Sequence, residues 1–309
     1  MRALSPQSPP GHALPGPPAA EVERVVRQAL AEDLGPGDVT SELAVPATAR
    51  ARARLVAKAH GVLAGLDAFV CAFELCDPEV QVQRLCADGE RLIPGRAVAV
   101  VEGLARGLLA AERTALNLLQ RLSGVATRTA GCVALLADLP GVRLFDTRKT
   151  TPGLRVLEKY AVLCGGGHNH RAGLWDEALL KENHLALSGR GLLETVRELR
   201  AALAPGVRLH CEATNADEAR DAVRGGADVV LLDNFTAAEL EPLCTALRQL
   251  AAELPREVEL EASGGITEET LRAVAASGVD RISMGALTHS APALDLSLYL
   301  EPLPADGAG

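Results

Sequence analysis

Of 31 basic residues only four are lysines, and three of these, Lys149, Lys159 and Lys181, fall between Phe145 and His184. An ammonium is a compact, strongly hydrated point charge, unlike the planar guanidinium. A chain that otherwise uses Arg is expected to keep Lys where that difference matters, although chance survival explains any single one. The same stretch holds Arg148, His170 and Arg171. Between residues 143 and 185 seven Lys and Arg face five Asp and Glu, in a chain of net charge -9. An anion site must then be a local pocket, not a general basic surface. Arg148, Lys149, His170, Arg171 and Lys181 could together hold a multiply charged anion, with Arg clamping carboxylates in bidentate fashion.

Two carboxylates, Glu212 and Asp233, also end apolar runs. Beside an anionic substrate they call for a cation such as Mg²⁺, or for sugar hydroxyls. Glycines follow the last two apolar runs, in Ser263-Gly264-Gly265 and Met284-Gly285-Ala286. There backbone N–H groups can approach a phosphate. An anion clamp, hydroxyl or metal acceptors and a phosphate cradle together suggest a phosphorylated sugar.

These groups need elements to position them. From Val142 the chain repeats a strand–loop–helix unit. Strands are expected at 142–146, 178–181, 207–212, 228–233, 258–262 and 280–284. Helices are expected at 152–163, 191–203, 216–224, 237–254 and 268–276, with Pro152 in a first helical turn. Six such units imply a parallel sheet, open or closed into a barrel. Its strands would end at Thr147-Arg148-Lys149, Lys181, Glu212, Asp233, Ser263 and Gly285, all at one mouth.

Before this region the texture differs. Residues 1–19 form a Pro-rich tail, expected to be disordered. A helix is expected at 20–33, then an extended region from Thr40-Ser41. Short strands punctuated by glycine, and a helix at 66–75, suggest a small α+β domain. The alternation Val80-Gln81-Val82-Gln83 suggests a half-buried antiparallel strand. Two helices follow, 107–122 and onward to Leu139, with Gly124 closing the first. The expected domains are 20–115 and 116–290.

Aromatic residues make up only 2% of the chain, which disfavours the stacking platforms of single-stranded nucleic-acid binders. Seven cysteines without a CxxC spacing read as free thiols in a reducing compartment. No apolar run has the length of a membrane span. The expectation is a cytoplasmic protein with neither a nucleic-acid nor a membrane partner.

Plainer readings stand beside these. Gly165-Gly166-Gly167 could be a flexible loop, and it lacks the GK[ST] of a P-loop. His168 and His170 give two metal ligands without a third. Glu212 and Asp233 could be surface charges. Arg113, four residues from Asn117 on a helix, could be a salt-bridge partner. Cys211 beside Glu212 reads as a buried thiol, not a nucleophile.

Several motifs resemble one family: Glu112-Arg113-Thr114-Ala115-Leu116-Asn117, Thr147-Arg148-Lys149-Thr150-Thr151-Pro152-Gly153, Glu158-Lys159-Tyr160, Asn169-His170-Arg171, Lys181-Glu182-Asn183-His184, Leu232-Asp233-Asn234-Phe235 and Ser263-Gly264-Gly265-Ile266. They look like the quinolinate phosphoribosyltransferases, the decarboxylating enzymes of NAD synthesis, over roughly residues 20–300. The resemblance implies an open-faced α+β sandwich followed by an incomplete α/β barrel of about six strands. Residues from about 291 to 309 would rejoin the first domain. It further implies a homodimer or larger homo-oligomer in which Arg113 reaches the partner's site.

The implied reaction joins quinolinate to phosphoribosyl pyrophosphate (PRPP) and releases pyrophosphate and CO₂. Arg113, Thr147, Arg148, His170, Arg171 and Lys181 would hold quinolinate. Lys149 would face phosphate or substrate. Glu212 and Asp233 would meet the ribose hydroxyls and Mg²⁺, directly or through other groups. Ser263, Gly264, Gly265, Met284, Gly285 and Ala286 would hold the 5-phosphate. Lys149, Lys181, Glu212 and Asp233 are the expected catalytic set. Rival readings are a paralogue of the same fold with another substrate, a non-catalytic phosphosugar-binding barrel, and an aldolase with Lys149 or Lys181 as a Schiff base.

Overall fold

The computed structural model describes residues 15–304, so most of the expected Pro-rich tail lies outside the described residues. The first helix, α1 (Ala19–Leu34), buries Val22, Val25, Val26 and Leu30 along one stripe. A short helix follows, α2 (Val39–Ala44), where the sequence suggested extended chain. The reason is a cap: the Asp38 carboxylate accepts from the amides of Thr40 and Ser41 at 3.1 and 3.0 Å. Six residues are too few for a helical period to show.

Next come β1 (Arg50–Ala57), β2 (Gly61–Val62), α3 (Leu66–Cys76), β3 (Gln81–Arg84), β4 (Arg91–Leu92) and β5 (Ala97–Leu104). Along β1, Ala51, Ala53 and Leu55 are buried while Arg52 and Arg54 are exposed. That alternation marks a sheet covered on one face only. The expected strand near Val80 is β3, an antiparallel edge strand on β5.

The two helices expected from 107 to 139 are one, α4 (Ala105–Leu135). Gly124 does not end it. A Cβ there would meet the Pro292 carbonyl, so this glycine lets the returning C-terminal segment lie against the helix. Residue 115 lies inside α4, which spans both halves of the chain.

The second half contains β6 (Arg143–Phe145), α5 (Arg155–Cys164), β7 (Ala178–Leu180), α6 (Glu182–Ser188), α7 (Leu192–Ala202), β8 (Leu209–Ala213), α8 (Ala216–Gly225), β9 (Val229–Asp233), α9 (Ala237–Ala252), β10 (Glu259–Ser263), α10 (Glu268–Ala275), β11 (Arg281–Ser283) and α11 (Ala286–His289). Finally β12 (Leu296–Pro302) returns to pair antiparallel with β1. The first sheet has the order β12-β1-β5-β3 and is antiparallel. α4 packs against β1, β5 and β12.

The second sheet is parallel, with the order β6-β11-β10-β9-β8-β7. Consecutive strands β6 and β7 thus lie at opposite edges, and the barrel is open between them. The segment after α5 partly closes the gap. His168 donates its amide to Leu144 at 2.8 Å, and its carbonyl accepts from Asp146 at 3.0 Å. Gly165-Gly166-Gly167 is therefore no slack loop: a Cβ on Gly165 would meet the Ala126 carbonyl of α4. Pro152 lies in a turn ahead of α5, which begins three residues after it, at Arg155.

Candidate active site

Parallel pairing puts every strand C-terminus on one side. Ser263 of β10 sits in register with Asp233 of β9, and Ala213 of β8 with Leu232. The loops after β6, β7, β8, β9, β10 and β11 converge there.

One helix fixes the two cationic loops. Glu158 of α5 is fully buried and accepts from the Thr151 amide at 3.0 Å and the Thr151 hydroxyl at 2.7 Å. Arg121 of α4 donates to the same carboxylate at 3.0 and 2.8 Å. The loop carrying Arg148 and Lys149 is thereby tied to α4 and α5. The next residue, Lys159, donates to Asp146 at 2.6 Å and to the His170 carbonyl at 2.8 Å. Asp146 also accepts from the His170 amide at 2.8 Å. Burial pushes the Asp146 carboxyl up to about 6, against the pull of Lys159, and burial lowers Lys159. Glu158 thus holds the first loop and Lys159 the second.

Within the mouth, Lys181 donates to Glu212 at 2.6 Å. Asp233 lies near enough to be influenced by Glu212, Lys181 and Lys149. Burial and then the Glu212 charge raise its carboxyl, against the Ser263 hydrogen bond and the two lysines. Arg171 is buried, and burial followed by the nearby Arg148 charge lowers its guanidinium from the usual range. The Arg148 Nε is buried without a hydrogen-bond partner. Two guanidiniums held close together without a carboxylate between them form a receptor for an anion with more than one charge.

The glycine turns form the other wall. Gly264 has φ +87°, and a Cβ there would run into the Asn234 side chain. Asn234 itself has φ +62° and donates to Asp233 at 2.7 Å. The Gly264, Gly265 and Gly285 amides have no backbone acceptor among the described residues. The Met284 amide does, donating to the Phe145 carbonyl at 3.0 Å. The Lys149 side chain runs over Gly285, with His289 on the same spot. The sequence reading named Asn234 beside Asp233 without a role and missed His289. His289 ends a short helix, α11, outside the strand-end pattern. The sequence reading also missed α6, whose first turn is Glu182-Asn183-His184 behind Lys181.

Arg113 stands apart. It is exposed on α4, with no ion-pair or hydrogen-bond partner among the described residues. Cys211 is fully buried, and burial pushes its thiol up to about 12, as befits an inert core thiol.

Glu212 and Asp233 are hard oxygen donors whose mutual repulsion a divalent cation would relieve, so this pair fits Mg²⁺. A softer set lies deeper: ligand atoms of His170, His210 and Glu261 all fall within 4.8 Å of one another. The His170 Nδ1, however, accepts from the Arg171 amide at 2.7 Å. In a neutral ring the proton is then on Nε2, which leaves that nitrogen a donor and not a ligand.

Two sequence patterns match the chain: "Quinolinate phosphoribosyl transferase, N-terminal domain" over residues 38–123 and "Quinolinate phosphoribosyl transferase, C-terminal domain" over residues 125–299. The human nicotinate-nucleotide pyrophosphorylase [carboxylating] is 43% identical over 251 residues, covering 81% of this chain and 82% of that protein. The Mycobacterium leprae enzyme of the same name is 40% identical over 278 residues, covering 89% and 95%. Among solved structures, the nicotinate-nucleotide pyrophosphorylase of Francisella tularensis superposes with a TM-score of 0.85 at 38% identity, covering 92% of this chain and 97% of that one. With both halves of the chain matched and the strand-end cations, carboxylates and glycines gathered at one mouth, the chain belongs to the quinolinate phosphoribosyltransferase family.

Proposed function

We propose that the mouth of the open barrel transfers the phosphoribosyl group of PRPP to the ring nitrogen of quinolinate, with loss of the 2-carboxylate as CO₂. The observation that carries this division of labour is that one set of loops at the mouth holds the pair of guanidiniums, Arg148 and Arg171, and another holds the Lys181–Glu212–Asp233 group. Arg148 and Arg171, helped by Thr147, His170 and Lys181, hold the dicarboxylate. Glu212 and Asp233 accept from the ribose hydroxyls. Ser263, Gly264, Gly265, Gly285 and Ala286 receive the 5-phosphate, with Met284 shaping the turn. Lys149 lies over Gly285, where it can meet phosphate oxygens.

As pyrophosphate leaves, the sugar C1 becomes cation-like, and nearby carboxylates favour that charge. Mg²⁺, for which Glu212 and Asp233 are suited, would neutralise the pyrophosphate. The ring nitrogen then bonds to C1. Loss of CO₂ leaves an anion at ring C2 beside the cationic nitrogen, which stabilises it until it takes a proton. No general base is required for that step. The test is turnover of quinolinate and PRPP with Mg²⁺ to nicotinate mononucleotide, with nicotinate as control. Product from nicotinate, or none from quinolinate, would overturn the assignment.

The unit is a homodimer in this reading. Arg113 supports it as an exposed cation with no partner among the described residues, with exposed Val39, Leu43 and Leu109 on α2 and α4. If Arg113 completes a partner's site, mixing inactive Arg113→Ala and Lys181→Ala proteins restores activity, because one mixed site carries neither change. No recovery after subunit exchange would exclude the shared site. The free thiols Cys71, Cys76, Cys86, Cys132, Cys164, Cys211 and Cys244 agree with a reducing cytoplasm. No helix among the described residues is long and apolar enough to cross a membrane.

A further inference from the structure

Beneath the substrate-facing cations lies a buried set of groups of which only His170 has a place in the reaction just described. Glu261 on β10 and His210 on β8 are both fully buried, and His170 nearly so. One Glu261 oxygen, Oε2, accepts from Arg281 Nε at 2.8 Å. The other, Oε1, has no hydrogen-bond partner, and His170 Nε2 lies 3.5 Å from it. That distance is long for a hydrogen bond, so the carboxylate charge acts mainly on the Nε2–H dipole of the ring.

On its other side the His170 ring accepts the Arg171 amide at Nδ1, 2.7 Å away. Both ring nitrogens of His170 therefore face protein groups. The His210 ring packs on the His170 ring at 4.9 Å between centroids, tilted by 42°. His210 Nε2 lies 2.9 Å from Glu177 Oε2 without hydrogen-bond geometry, and the Glu177 carbonyl accepts from Arg171 Nη1 at 3.4 Å. The groups form a ring that begins and ends at the Arg171 guanidinium and backbone.

We propose that Glu261 is a positioning residue for substrate binding: its carboxylate holds the proton of His170 on Nε2, which turns the Nδ1 lone pair to the Arg171 amide and sets the guanidinium for the dicarboxylate. Its ionised state is consistent with its surroundings. Burial raises its carboxyl, but His170, Arg281 and Ser283 together bring it below the ordinary range. A protonated Glu261 would lose its hold on both His170 and Arg281. The Glu177 carbonyl braces the same arginine from the other side. The inference rests on the proposed role of Arg171 in holding quinolinate.

Two measurements test it. Nitrogen-15 NMR of the histidine-labelled wild-type protein reads the tautomer directly, and His170 is expected as the Nε2–H form. An Nδ1–H signal overturns the proposal, whatever the enzyme's substrate. The second compares Glu261→Gln with Glu261→Asp. Glu261→Gln is expected to raise the KM for quinolinate about tenfold or more, with the KM for PRPP unchanged, and Glu261→Asp to recover part of the loss. Equal rises in both KM values, or no rise, overturn it. If Glu261→Gln does not fold, the tautomer in the wild type decides alone. Absence of quinolinate turnover by the wild type would fault the proposed reaction and leave the tautomer test standing.

Discussion

At the N-terminal end of the barrel, Glu259 of β10 pairs with Arg143, Arg208 and Arg281, the last at 3.2 Å. Beside it Arg200 pairs with Asp228 at 2.8 Å and Arg248 with Asp280 at 2.6 Å. At the C-terminal end, Arg148, Lys149 and Arg171 have no carboxylate partner among the described residues. Both ends are rich in arginine, yet the base satisfies its charges internally, whereas at the mouth Lys181 pairs with Glu212 and the remaining cations stay open. The acidic groups show the same contrast. Burial opposes it, but Arg208 and Arg143 hold the Glu259 carboxyl down at about 2. At the mouth, burial and Glu212 lift Asp233 above its ordinary value. Charges arranged for stability find partners within the chain; charges arranged for a ligand are left waiting for it.

The largest effects should separate the two ends. Glu259→Ala leaves Arg143 and Arg208 without their carboxylate, while Arg281 keeps Glu261, and is expected to destabilise the fold by roughly 1–3 kcal/mol, less than for a fully buried pair because both arginines are partly exposed. Its KM values should stay near wild type where the protein is folded. Arg171→Ala is expected to do the opposite. It removes a buried guanidinium that has no carboxylate ion pair and only a long hydrogen bond to the Glu177 carbonyl, so the stability loss should be small, while kcat/KM for quinolinate falls by about 2–5 kcal/mol of binding, roughly 30- to 5,000-fold. Denaturant titration and steady-state kinetics on both variants read the contrast. A stability loss in Arg171→Ala as large as that of Glu259→Ala would break it.

Much of this contrast was legible in the sequence, and the boundary has physical reasons. Each barrel strand occurs within about two residues of its expected place, because a buried parallel strand is an apolar run closed by a polar residue. The strand-end residues Arg148, Lys181, Glu212, Asp233 and Ser263 were found by that rule. Where order comes from side-chain contacts across the fold, the sequence was silent. Nothing near Gly124 signals that Pro292 will lie against it. Nothing in Glu158-Lys159 says that adjacent residues hold different loops, nor that His210 and Glu261 meet His170 from separate strands. The strand-end rule also directs attention to the mouth. It could not find Glu259, which opens its strand instead of closing it.

A smaller effect tests the difference by pH. Glu259 has its carboxyl held below the unfolded value, so the folded state loses stability from it as pH falls from about 4.5 towards about 2. Asp233 has the opposite sign. Its carboxyl is raised, so between the ordinary 3.8 and its folded value the folded state binds more protons than the unfolded one. Its contribution to stability therefore declines as pH rises through that window, and at neutral pH the ionised group is a cost. Asp233→Asn should then make the protein more stable at pH 7 than wild type, with the gain vanishing below the unfolded carboxyl value, while phosphoribosyl transfer is lost. Glu212→Gln removes one cause of the shift and should move the acidic limb of kcat/KM for PRPP to lower pH in whatever activity remains. Thermal melts from pH 3 to 8 and the pH–rate profile measure both. A destabilised Asp233→Asn protein at pH 7 would mean that Asp233 is held by partners as Glu259 is, and the two ends of the barrel would no longer differ in kind.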